Sequence, residues 1–164
     1  MAQSRKLWML RRVVAFVLAA VAMVLLGSAA HSYFVQQAWS GAAGHAYGTA
    51  PAAIPLADRI SWAVHDLFGM FVPYCAVTSI ALFIAFLIAG GLARFTGFRA
   101  IVFGIAGASA LFVLFAVMKS LLGTVGIFGA RGPAGLAAQM LVGAVAGLLF
   151  ARLTRPPNLP LPPT

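Results

Sequence analysis

Acidic residues are almost missing from this sequence. Asp58 and Asp66 are the only two among 164 residues, against 11 lysines and arginines. Lying eight apart, they leave a pair of catalytic carboxylates without support. Cysteine is scarcer still. Cys75 stands alone, so no intramolecular disulfide forms, and its apolar surroundings mark it as a small core residue. No H-x-x-x-H or comparable metal-ligand spacing occurs. The glycine-rich stretch from Gly126 to Gly132 lacks the Lys-Ser/Thr pair of a phosphate loop and reads as a connection. Charge of either sign is thin: 8% of residues are charged, 63% are hydrophobic, and mean hydropathy is +1.02. A soluble fold of this length has too little polar surface to cover so much apolar content. A bilayer solves that problem by acting as the solvent.

Four apolar runs are each near the ~20 residues that cross a ~30 Å hydrocarbon core. They cover about Met9–Ala30, Phe68–Leu92, Ala100–Leu122 and Pro133–Arg152. Strands of a membrane barrel alternate in polarity over ~10 residues, whereas these runs are apolar all round. The expected fold is therefore all-α: a single polytopic domain, a bundle of four transmembrane helices.

The net charge of +9 does not mark a nucleic-acid binder, because the basic residues sit in short clusters at the ends of apolar runs. Arg5, Lys6, Arg11 and Arg12 accompany the start of the first run. Arg94 and Arg99 join the second to the third, and Arg152 and Arg155 follow the fourth. The other side receives Arg59, Lys119 and Arg131, together with both acids. The positive-inside rule then places both termini in the cytoplasm of a bacterial-type inner (plasma) membrane. A basic start followed by Ser28-Ala29-Ala30 also resembles a cleavable signal peptide. The run is long for that role, so a retained anchor is expected.

The sizeable non-membrane region is the outer loop, residues 31–67. Its first part, with Gly41, Gly44 and Gly48, reads as irregular. From Pro55 the period turns helical: Leu56, Ile60, Ala63, Val64 and Leu67 share one face, and Asp58, Arg59, Trp62, His65 and Asp66 the other. This predicts a short amphipathic helix over 55–67, lying along the interface with Trp62 as its anchor. A turn or kink is expected near Gly69 and Pro73. The tail from Arg155 to Thr164 is proline-rich and reads as extended polyproline. A docking role for it is a weaker alternative.

Candidate residues are few. Gly143 and Gly147 form a G-x-x-x-G pair, which Gly135 and Ala151 extend; Gly104, Gly107 and Ala108 occupy the third run. Small residues let helix backbones approach closely in lipid, either within the bundle or at a partner interface. Lys119 lies late in the third run, and an ion pair with Asp66 is expected, with Arg131 as competitor for that carboxylate. His31, His45, His65, Asp58 and Asp66 are weak metal candidates on the outer side. Lys119, Thr78, Ser79 and Ser109 are the polar candidates for a transport path, the last three weak ones.

The leading functional expectation is non-enzymatic. It is an accessory, assembly or scaffold subunit in contact with membrane lipids, and with other membrane subunits or further copies of itself. No cofactor is expected. An oligomeric small transporter or channel, and an outer-face metal binder or enzyme, are the alternatives.

Overall fold

In lipid every backbone polar group must be satisfied within the chain, which makes helices of the apolar runs. The computed structural model describes residues 2–47 and 53–155, so the tail prolines from Pro156 onward lie outside the described residues. The helices are α1 (Ala2–Tyr47), α2 (Leu56–Thr96), α3 (Arg99–Leu122) and α4 (Pro133–Leu153), with a short 3-10 turn, Phe128–Ala130, ahead of α4. All four are long and apolar enough to cross a membrane. The chain is a multi-pass membrane protein.

Local chemistry sets the ends. Gly97 and Gly123 both adopt φ +70°, the left-handed conformation that stops α2 and α3. Pro133 opens α4, where its missing N–H has no helical partner to lose. At the C-terminus of α4, Arg11 Nε donates to the Leu153 carbonyl at 2.8 Å and Nη2 to the Arg155 carbonyl at 2.9 Å. A cation there also suits the negative end of the helix dipole.

Each helix packs on its chain neighbours, and α4 closes the ring against α1. The α3–α4 contact is the tightest. Gly107 and Gly143 face each other backbone to backbone, and Gly147 lies on the Phe103 carbonyl. A methyl group at any of the three would strike main chain. Gly104 rests more loosely against Leu148, Gly135 sits on the Gly129 carbonyl, and Ala108 is half-buried. Aromatic rings fill the centre: Phe86 stacks on Phe150 at 4.8 Å across the α2–α4 diagonal, with Phe103 edge-on to Phe86 at 5.5 Å. Outside, Ile80, Ile84, Ile88, Ile101 and Ile105 are exposed, as a lipid-facing surface requires.

Two expectations about the outer loop change. Residues 31–47, expected to be irregular, continue α1. A helix leaving the bilayer is already nucleated, so each further residue extends it at little cost, and Ala and Gln favour it. The 55–67 segment is helical from Leu56, but it does not form a separate interfacial helix. It runs unbroken through Gly69 and Pro73 into α2.

The lengths follow. At 1.5 Å per residue, α3 with 24 residues and α4 with 21 are about 36 and 32 Å long, whereas α1 with 46 and α2 with 41 are about 69 and 62 Å. The α3–α4 connection reaches the level of His31 on α1 and of Met70 and Pro73 on α2. Residues 32–47 and 56–69 therefore extend beyond it as a helical hairpin.

Candidate functional site

Serine, histidine and glutamine line one side of the outer half of α1. Ser28, Ser32, Gln36 and Ser40 recur every four residues, with His31 beside them, and all five are buried. Such spacing stacks side chains along one helix face. The column begins inside the bundle and climbs into the hairpin.

Its inner end is a bridge of three helices. The Tyr74 hydroxyl on α2 donates to Gln139 Oε1 on α4 at 2.6 Å, and Gln139 Nε2 donates to the Gly27 carbonyl on α1 at 3.0 Å. Gln139 is 1% exposed. A Cβ at Gly27 would collide with the Tyr74 hydroxyl and ring, so a larger residue there would displace Tyr74. Thr78 donates its hydroxyl to the Tyr74 carbonyl of its own helix. Ser28 Oγ is buried without a partner.

One helical turn outward, the Gly129 N–H donates to His31 Nδ1 at 3.1 Å. That bond holds the imidazole as an acceptor at Nδ1. Gly129 approaches so closely that a Cβ would lie 2.7 Å from the His31 Cα. His31, Tyr74, Met70, Met118 and Phe128 border a cavity of about 340 Å³. Asp66 is half-buried on α2, and its charge reaches His31.

The outer end ties the hairpin together. Gln36 Nε2 donates to Ser32 Oγ at 3.1 Å and to the Arg59 carbonyl at 3.0 Å. Trp39 and Trp62 meet edge to face at 5.5 Å. Trp62, expected as an interfacial anchor, is thus half-buried against α1. Arg59, Trp62 and Asp66 turn inward together with Ala63 and Leu67 of the expected apolar face, whereas Asp58 and His65 stay exposed. Leu56, Ile60 and Val64 turn outward and are 73%, 56% and 47% exposed.

The remaining candidates do not converge. Lys119 is exposed on α3. Among the described residues no Lys or Arg nitrogen comes within 4.0 Å of a carboxylate oxygen, so Lys119 and Asp66 are unpaired. Arg131 is engaged by its own loop: Nε donates to the Val125 carbonyl at 3.0 Å, and the guanidinium lies over Phe128. His45 and His65 are exposed, as is Asp58. Among the described residues no three His, Cys, Asp or Glu side chains gather closely enough to hold a metal ion. Ser79 makes a 3.7 Å contact with Cys75 Sγ on the same helix. Ser109 faces an apolar groove between α2 and α3 that neither Thr78 nor Lys119 lines.

This arrangement is built to hold helices in register. His31 Nδ1 already carries a main-chain bond from Gly129. Gln139 and the Ser/Gln column were not among the sequence candidates. The signal was present in the four-residue spacing from Ser28 to Ser40, and in the line Gly135, Gln139, Gly143, Gly147. No protein-family model, curated protein or solved structure matches the chain.

Proposed function

We infer that the chain is a non-enzymatic accessory subunit that docks a partner membrane protein through its outer hairpin. One observation carries this reading: α2 carries an exposed apolar stripe along the hairpin. Leu56, Ile60 and Val64 form a stripe at four-residue spacing, and Phe68 continues it at 76% exposure. The stripe spans about 18 Å along the helix. Water gains nothing from such a surface, and anchors at this spacing fit the apolar groove of a helical partner. On the positive-inside rule the hairpin stands outside, and both termini lie in the cytoplasm.

The experiment is photo-crosslinking in the native membrane. A photoreactive residue at Ile60 should give one discrete heavier band, and the same probe at exposed Ile105 should not give that band. Ile60→Asp with Val64→Asp should abolish the band while the bundle stays folded. A free monomer on native gels after mild extraction, with no adduct from Ile60, would sink the reading. An adduct containing only a second copy of the chain would replace the heterologous partner with self-association.

A further inference from the structure

The end of the bundle opposite the hairpin carries a different surface. Lys6, Arg11, Arg12, Arg94, Arg99, Arg152 and Arg155 lie at this end, and both acidic residues lie at the other. Three of the arginines converge. Arg12 from α1, Arg94 from α2 and Arg99 from α3 line one cleft of about 560 Å³, whose apolar wall includes Phe83, Phe86 and Phe103.

The cationic rim is incompletely satisfied. Arg99 Nη2 donates to Thr154 Oγ1 at 2.5 Å, and its guanidinium sits 4.7 Å from the Phe103 ring centre, yet Nε is buried without a partner. Arg12 rests 3.5 Å over the Trp8 ring. Arg12 lies within electrostatic reach of both Arg94 and Arg99, so like charges face each other across the cleft. Both acidic side chains, Asp58 and Asp66, lie at the far end, so no Asp or Glu neutralises these arginines. A buried donor without a partner is costly, and guanidinium groups suit phosphate oxygens geometrically.

The cleft is also open to the side. Val13, Phe83 and Leu87 line it and are exposed on the surface that faces lipid. An occupant can therefore place an anionic head among the arginines while its chain runs down the aromatic wall. We propose that this cleft binds an acidic glycerophospholipid, with its phosphate diester held by Arg12, Arg94 and Arg99 and its acyl chain against Phe83 and Leu87. Basic pockets between membrane helices recognise lipid phosphates in this way. The site is independent of the hairpin, at the other end of the molecule.

The test uses the full chain in an uncharged detergent. Phosphatidylglycerol and phosphatidylcholine with matched acyl chains are added separately, and retained lipid is counted by native mass spectrometry. Glycerol phosphate serves as the free-headgroup arm. Phosphatidylglycerol should be retained and phosphatidylcholine lost, and glycerol phosphate should not displace the lipid at equal concentration. Arg94→Gln should weaken retention about fivefold, on the scale of one lost cation near a lipid phosphate. Arg155→Gln, which removes the same charge outside the cleft, should leave retention unchanged. Arg94 is exposed, so its loss spares the packing; if that variant fails to fold, Arg12→Gln is read in the same way. Equal retention of the two lipids, or equal losses in the cleft variant and in Arg155→Gln, would overturn the proposal. So would displacement by glycerol phosphate, which needs no acyl chain.

Discussion

The Tyr74 hydroxyl and the Gln139 side chain meet at 2.6 Å inside the bundle, joining α2 to α4 across its diagonal. Gln139 passes the connection to α1 through the Gly27 carbonyl. One amide therefore registers three helices. Polar contacts in membrane bundles average about 0.6 kcal/mol and reach about 1.7 kcal/mol. Tyr74→Phe should lower stability by an amount in that range, and Gln139→Leu by more, since it breaks both bonds and leaves the buried Tyr74 hydroxyl without its partner. Thermal unfolding of the two single variants and the double variant checks this. The double variant should lose less than the sum, because the shared bond is lost once. Strict additivity would mean that the two side chains are not coupled.

A methyl group added at Gly143 meets the Gly107 backbone directly. Backbone cannot swing aside as a side-chain tip can, so α3 and α4 must separate. Gly143→Ala should cost about 1–3 kcal/mol, the usual range for overpacking. Gly41→Ala is the control, since its Cβ would meet nothing within 4 Å. It should be neutral or gain up to about 1 kcal/mol from helix propensity. Melting temperatures of the two variants in one detergent decide the point, and equal shifts would contradict the close approach.

The Trp39–Trp62 edge contact lies in the hairpin, away from the bundle core. An aromatic pair of this kind contributes about 0.5–1.5 kcal/mol beyond its buried area. Trp39→Ala should therefore loosen the hairpin alone. Hydrogen exchange should rise in residues 32–47 and 56–66, while the bundle keeps its melting temperature. Faster exchange spread evenly over α3 and α4 would show that the hairpin is not a separate unit of stability.

The sequence shows the spans more clearly than the site. Hydropathy over the runs from Ala100 to Leu122 and from Pro133 to Arg152 places α3 and α4 to within a residue at each end. The same property misplaces the outer limit of α1. Gly41, Gly44 and the serines suggest a loop by composition, yet Ser32, Gln36 and Ser40 are helical because a facing helix receives them. Pro73 likewise suggests a break, and α2 continues through it. Gln139 does not stand out in hydropathy because one amide scarcely alters the average of a span. Its importance lies in its partners, Tyr74 and Gly27, which are 65 and 112 residues away in the chain.

The sequence by itself determined that this chain lives in a membrane, how many of its helices are long and apolar enough to cross it, and which ends of them are basic. Those properties are sums over neighbouring residues: transfer free energy accumulates along a run, and charge is confined to its ends. The tertiary structure alone decided which face of the hairpin is hidden. An isolated amphipathic helix would bury Leu56, Ile60 and Val64. Here Gln36 takes the Arg59 main-chain carbonyl and Trp39 takes Trp62, Ala63 and Leu67 are half-buried, and Leu56, Ile60 and Val64 are left outside. Burial is a property of two surfaces in contact, and only the fold brings the second surface into place.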